Sequence, residues 1–481
     1  MNISLSLISH TNVGKTTLAR TLLRRDVGEV RDAAHVTESS DAYVLIETPE
    51  GDELRLWDTP GFGDSARLLR RLEQSGNPLG WFLTQVWDRL ADRPFFCSQL
   101  AVRNVRDEAD VVLYLVNAGE DPAGAAYVAA EMRILGWIGR PVIVLLNQLG
   151  PPRSADAESA DVQRWAAHLA AVPVVRDTIA FDAFARCWVQ EEALLDRIAA
   201  VLPAERRSAF GRLCAAWRAR NRDVFEKSMQ VLASQLAAIA ADVEQLDVRG
   251  AGTAARGWLA SLLGAARRGD APTDAAMARL AGRLDAAIRG ATDELIRLHG
   301  LRGHATDEVL QRMGAKYAVD KAADPGKASL VGAAVSGALG GLAADLAAGG
   351  LTFGAGALLG GLLGAAGARG LASAYNLARG SDATTVRWSG EFLTGRVTGA
   401  VLRYLAVAHF GRGRGDYVEG EYPPHWRPLV EAAVAARNDQ LLEAWSLAAA
   451  GAPATTLEAR LGPQLQSITT EVLGRLYPAR G

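Results

Sequence analysis

Short apolar runs separated by amphipathic stretches organise the first 200 residues. Residues 3–8 form one such run, which feeds a glycine-containing turn and then the helix-like stretch TTLARTLLRR. Residues 42–47 and 54–57 read as paired strands with PEGD as the turn between them. The runs ADVVLYLV (109–116) and PVIVLL (141–146) are continuously apolar, as strands covered on both faces require. Helical patterns at 124–135 and 159–170 separate them from each other and from a further strand at 172–181. That alternation predicts a mostly parallel sheet with helices on both faces.

From about residue 203 the strand signals stop. Phe225, Met229, Leu232, Leu236, Ile239, Val243 and Leu246 step by four and three, the seam of a long packed helix. More helix is expected at 252–268 and 274–298. Residues 328–369 then turn almost wholly to Gly, Ala, Leu and Val, interrupted by Asp345. Charged and aromatic helical sequence follows, broken by GRGRGDYVEGEYPPHW at 411–426. The expected division is an α/β domain over 1–201, a helical domain over 202–326, a Gly/Ala-rich apolar hairpin over 327–372 and a helical region over 373–481.

Composition narrows this picture. A chain of 481 residues is too long for one ordinary core. With 49% hydrophobic and 22% charged residues it has globular composition. A net charge of -2 gives no electrostatic reason to expect nucleic acid as the main partner. Cys97, Cys187 and Cys214 lie far apart without metal-ligand spacing, which fits a reducing compartment. No basic segment followed by an apolar run opens the chain, so a cytoplasmic location is expected. The seven histidines form no spaced metal motif, and no hydrolase triad stands out.

Chemistry concentrates after the first strand. SHTNVGKTT (9–17) matches G-x-x-x-x-G-K-[ST] except at its first position, where Ser9 replaces Gly. A turn opening a helix offers backbone N–H groups and the helix dipole to phosphate oxygens. Val13, Gly14, Lys15, Thr16 and Thr17 are the candidate phosphate-binding residues. Gly14 allows close backbone approach, Lys15 reaches the outer phosphates and the Thr16 hydroxyl ligates Mg2+. Asp58-Thr59-Pro60-Gly61 ends the next strand. Asp58 is placed to hold the metal shell, and the Gly61 N–H to meet the terminal phosphate. Thr37 lies 22 residues after Lys15 in a polar segment. It is the candidate switch threonine closing on Mg2+.

NVGKTT, DTPG and the strand order resemble the Era-like branch of the translation-factor-related GTPases. The whole chain is similar to bacterial GTPases in which such a domain precedes a long C-terminal domain of unknown function. The resemblance implies an α/β P-loop NTPase domain followed by a mainly α-helical C-terminal region, with GTP as substrate and Mg2+ as cofactor. Phe62 follows DTPG where a catalytic Gln stands in other branches, and a phenyl ring cannot orient water. Asn12 matches an Asn that in some relatives helps bind K+. Slow hydrolysis, stimulated by K+ or by dimerisation through the nucleotide domain, is therefore expected.

LLNQLGPP (145–152) departs from the family. There an Asp in N-K-x-D accepts two hydrogen bonds from guanine. Here Asn147 is retained, Gln148 stands for Lys, and Gly150 offers no carboxylate. Losing that pair costs roughly 10- to 1,000-fold in affinity. The expected substitutes are an N–H near Ala183 meeting the guanine oxygen, with Gln148 covering the ring; Asp156 and Glu158 are candidate carboxylates.

Two segments bear on partners. The insert NPLGWFLTQVWDRLADRPFF (77–96) carries an apolar helical face, suited to packing or to relaying the switch. Residues 328–344 and 346–368 are 17 and 23 residues without charge, with Gly356, Gly360 and Gly364 at GxxxG spacing. They suit either a membrane-inserting hairpin or a buried soluble one. Three readings stay open: a slow GTPase switching a helical, membrane-associated effector region with an unknown protein partner, a nucleotide-binding membrane scaffold with little turnover, and an NTPase without base preference.

Overall fold

The apolar runs of the first 200 residues become strands where they are expected. In the structure, a computed structural model, the described residues are 1–10, 13–24, 40–74, 78, 80, 93–149, 155–183, 187–246, 271–301, 375–379, 384–409 and 423–477. Strands β1 (Asn2–Ser9), β3 (Glu53–Asp58), β4 (Val111–Asn117), β5 (Val142–Asn147) and β6 (Val175–Ala180) run parallel. The edge strand β2 (Asp41–Glu47) pairs antiparallel with β3. The order is β2-β3-β1-β4-β5-β6.

Strand periodicity sends alternate residues to opposite layers. On β4, Val112, Tyr114 and Val116 face one core, while Val111, Leu113 and Leu115 face the other. The first core takes its cover from α2 (Ser65–Leu72), α3 (Arg93–Asp107), α4 (Ala126–Ile138) and α5 (Ala155–Leu169), through residues such as Leu68, Val102, Val128 and Trp165. The second is covered by α1 (Lys15–Leu23), α6 (Trp188–Val201) and the beginning of α7 (Ala204–Ala241). β1 lies between β3 and β4, so the strand order reverses there. The crevice beyond its C-terminal end is where such sheets bind ligands.

The first compact unit runs through Met1–Val224, past the expected boundary at 201. The reason is packing: Phe210, Leu213 and Trp217 of α7 are core residues of the sheet's second layer. The Trp217 indole N–H donates to Glu191 Oε2 at 2.9 Å, and Arg24 Nη2 to Asn221 Oδ1 at 2.6 Å.

The second unit contains the rest of α7, α8 (Ala271–Leu298), α9 (Gly390–Ala408), α10 (Trp426–Ala435), α11 (Asn438–Ala449) and α12 (Ala454–Leu476). The seam is confirmed from Phe225 to Ile239, all buried. It does not continue to Leu246. The helix ends at Ala241, and β7 (Val243–Leu246) joins β9 (Thr384–Trp388) and β8 (Tyr375–Arg379) in a three-stranded antiparallel sheet, order β7-β9-β8. The expectation that strands stop after 203 is thus corrected. The β7 partner lies about 140 residues away, out of reach of local periodicity. Ion pairs lock the exit from α7, with Arg283 on Asp242 and Glu244, and Arg279 on Glu244 at 2.5 Å.

The Gly/Ala segment 328–368 and the helix expected at 252–268 lie outside the described residues. Among the described residues no helix is long and apolar enough to cross a membrane.

Candidate nucleotide-binding site

Between Ser9 at the end of β1 and Lys15 at the start of α1, the chain turns through Gly14 with φ 91°. A Cβ there meets Asn147 Nδ2 at 2.8 Å, so both the left-handed backbone and the close approach require glycine. The first N–H groups of a helix have no partner within it, and Gly14 leads directly into the head of α1.

Lys15 is buried, and its ammonium donates to Ser9 Oγ at 2.8 Å. Burial lowers its pKa, opposed by the charges of Asp58 and Glu131. Ser9, which replaces the first glycine of the motif, is therefore the partner of the Lys15 ammonium in this structure. On the next strand, Asp58 lies beside Leu7 in the β1–β3 register, and Thr59 Oγ1 ties the DTPG turn to the Leu7 carbonyl at 2.6 Å. Thr16 Oγ1 donates to Asp58 Oδ2 at 2.6 Å. Asp58 Oδ1 is buried with no hydrogen-bond partner, and burial raises the carboxyl to about 6. A buried hydroxyl–carboxylate pair with one unsatisfied carboxylate oxygen is a donor set that fits a hard divalent cation such as Mg2+.

Gly61 is buried, immediately after Pro60. Phe62 is fully buried in the first core, and its N–H donates to the Ser9 carbonyl at 2.9 Å. Its ring therefore takes no part in the crevice. Thr17 is buried on α1, where its carbonyl accepts from Thr21 Oγ1. Asn12, Thr37, Gly150 and most of the 77–92 insert lie outside the described residues, as do the side chain of Asp156 and residues 184–186.

Asn147 holds two loops together. Its amide N–H donates to the Val13 carbonyl at 2.6 Å, and its amide oxygen accepts from the Ala183 N–H at 2.8 Å. Ala183, near which an N–H was expected to meet the guanine oxygen, is fully buried, and in this structure its own N–H is bonded to Asn147. Gln148 adopts φ 56°, uncommon for a residue with a Cβ. After it, the Leu149 N–H donates to Asp182 Oδ2 at 2.8 Å.

One network was not legible in the motifs. Glu131 of α4 is fully buried. One of its oxygens meets His10 Nδ1 at 2.8 Å and the Ser65 hydroxyl at 2.5 Å; the other accepts from Tyr114 at 2.7 Å. His10 also stacks on Tyr127, centroids 4.4 Å apart. Glu131 thus joins the phosphate loop to the start of α2, the helix that follows DTPG. Among the described residues no group of three or more His, Cys, Asp or Glu is arranged to hold a metal by itself.

Comparison with known families fits this arrangement. Residues 175–466, more than half of the chain, match the family described as a domain of unknown function, DUF3482. The chain belongs to the DUF3482 family. Residues 4–148 of this DUF3482 chain match the 50S ribosome-binding GTPase family. Its N-terminal domain is a GTPase domain of the Era type. The GTPase Era of Heliobacterium modesticaldum is 27% identical over 145 residues, 30% of this chain and 39% of that protein. The chain thus spans well under half the length of that curated relative. Two solved structures are also similar. Era in complex with MgGDPNP and nucleotides 1506–1542 of 16S ribosomal RNA has a TM-score of 0.31 and 19% identity, over 42% of this chain and 57% of that one. An Aquifex aeolicus Era variant bound to GDP.AlF4- has a TM-score of 0.30 and 18% identity, with the same coverage. The two family matches meet within one sheet. The GTPase match ends at Gln148, and the DUF3482 match begins at Val175, the first residue of β6.

Proposed function

We propose that this DUF3482 chain binds GTP with Mg2+ in the crevice at the end of β1, hydrolyses it slowly, and uses the switch to rearrange its C-terminal half. The observation that carries this is the pair Thr16–Asp58 with its unsatisfied buried oxygen, beside a Lys15 ammonium parked on Ser9.

In this reading, triphosphate draws the Lys15 ammonium from Ser9 Oγ onto the outer phosphates, where buried charge meets buried opposite charge. The head of α1 supplies N–H donors, and Gly14 lets the backbone close on the phosphates. Thr16 and Asp58 would hold Mg2+, which would supply positive charge beside the phosphoryl oxygens. Gly61, fixed by the Thr59 and Phe62 bonds to β1, offers its N–H to the terminal phosphate. With Phe62 locked in the core, DTPG brings no side chain to orient water, so turnover depends on K+ at Asn12, on Thr37, or on a partner.

The test is a titration with fluorescent GTP and ATP analogues in Mg2+, with Lys15→Ala as control. GTP preference abolished by Lys15→Ala supports the reading, and equal binding of both reduces the protein to an NTPase without base preference. A second reading, a nucleotide-binding scaffold with little turnover, is favoured by the burial of Phe62. It requires hydrolysis to stay near zero in both K+ and Na+ and with lipid vesicles. K+-dependent turnover rules it out.

A further inference from the structure

Glu131 of α4 is a fully buried carboxylate on which three other segments converge. Burial makes an empty acceptor position costly, so each of these bonds is held firmly. Tyr114, also fully buried on β4, donates to Oε2 at 2.7 Å and fixes the carboxylate to the sheet. The other oxygen, Oε1, meets His10 Nδ1 of the phosphate loop at 2.8 Å and accepts from the Ser65 hydroxyl at the head of α2 at 2.5 Å. The backbone follows the same course, since the Phe62 N–H donates to the Ser9 carbonyl and His10 forms a parallel bridge with Phe62. Gly61 therefore lies in a short span held on both sides. Thr59 Oγ1 bonds the Leu7 carbonyl before it, and Ser65 bonds Glu131 after it. Just past the far end of α2, Glu73 Oε1 is tied to α4 by a largely exposed ion pair with Arg133 Nη1 at 2.6 Å.

We propose that Glu131 is a positioning residue that sets where the Gly61 N–H stands against the terminal phosphate, acting through its bond to Ser65. This rests on the proposed GTP site, in which that N–H meets the outermost phosphate. Tyr114 makes Glu131 the fixed point, and His10 and Ser65 are its two arms. One arm holds the phosphate loop and the other the segment after DTPG. With both arms on one oxygen, the loop that grips the inner phosphates and the turn that meets the last one keep a set separation. A diphosphate offers nothing to Gly61, so its binding does not depend on the Ser65 arm. A triphosphate does, because a hydrogen bond weakens steeply as its distance and angle depart from ideal. The same node carries a shift at Gly61 into α4 through a buried bond. The Arg133–Glu73 pair, screened by water, contributes little to that coupling.

The experiment measures binding of fluorescent GDP and of a fluorescent non-hydrolysable GTP analogue in Mg2+. It compares the full chain with Ser65→Ala, Glu131→Ala, the double variant and Arg133→Ala. Ser65→Ala deletes one arm and leaves the Asp64 cap of α2 in place. It is expected to lower affinity for the GTP analogue by about 2- to 30-fold while GDP binding stays as in the wild type. Mere loosening of the fold does not produce that split. The double variant is expected to lose no more than Glu131→Ala alone, because both changes break one node. Arg133→Ala is expected to keep the wild-type ratio. Equal weakening toward both nucleotides in Ser65→Ala, or none, overturns the inference and leaves the GTP site standing. An equal loss of ratio in Arg133→Ala overturns it too, since general docking of α2 is then the cause, and so do additive losses in the double variant. Wild-type protein that binds neither nucleotide removes both the site and the inference. Should Glu131→Ala not fold, Ser65→Ala and Arg133→Ala decide alone.

Discussion

Lys15 holds a positive charge where burial disfavours it, and Ser9 is the neutral group that satisfies it in the protein alone. Under the proposed GTP site, a nucleotide breaks that bond before the ammonium reaches phosphate. Ser9→Ala removes the resting partner. It should destabilise the nucleotide-free protein by about 1.5–3 kcal/mol, the worth of a hydrogen bond to a charged group. The nucleotide-induced rise in melting temperature should grow, since less is lost on binding. Thermal melts with and without GDP and Mg2+ check both signs, and a smaller ligand-induced rise counts against Ser9 as a resting partner. At this scale the motif spacing picked out Lys15, Thr16 and Asp58 as candidates, and the structure brings Thr16 onto Asp58 and Lys15 onto Ser9 because all four lie at strand ends or at the head of α1. It did not reveal Glu131 or Asp182. Their partners lie at separations from 17 to 121 residues, set by the sheet and not by local pattern.

Among the elements, the segment after DTPG packs closely against the start of α3. A Cβ on Gly63 falls 2.5 Å from Pro94 Cβ, 2.8 Å from its Cα and 2.9 Å from its carbonyl oxygen. The Gly63 N–H also donates to Ser98 Oγ at 3.1 Å. Backbone atoms cannot step aside as a side-chain tip can, so Gly63→Ala must part this segment from α3. A loss of about 1–3 kcal/mol is expected, as for overpacking elsewhere, read as a lower denaturant midpoint at unchanged m-value. Wild-type stability in that variant means the two elements are not in this contact. The six strands of the sheet and the flanking helices α1, α4 and α5 were legible because each carries its own local pattern; α2 and α6, which also cover the sheet, were not picked out. The small sheet was not, although TTVRW at 384–388 has the β-branched and aromatic character of a strand. A long helical context masked it, and β7 and β8 are strands only through β9 between them.

Across the nucleotide unit as a whole, α7 is fastened to the sheet at the β2–β3 turn. Asp52 is buried there, accepting from Arg212 Nε of α7 at 2.7 Å and from the Met1 amine at 2.8 Å. The turn was predicted from PEGD, but nothing in that tetrapeptide shows that its Asp anchors a helix 160 residues onward. The Arg212 hydrogen bond, followed by that of the chain amine, lowers the Asp52 pKa from 3.8 to about 2. The sign follows from linkage: the folded state binds this proton less readily than the unfolded state. The clasp therefore contributes fully above about pH 4 and is lost as pH falls through about 2. Asp52→Asn keeps the shape and removes the charge. Its melting temperature should lie below that of the wild type by a constant margin between pH 5 and 7, with the margin closing as pH drops from about 4 toward 2. Melting curves of both proteins across that range test it. A margin that persists unchanged at pH 3 and below means that the carboxylate's charge is not what fastens α7 to the sheet.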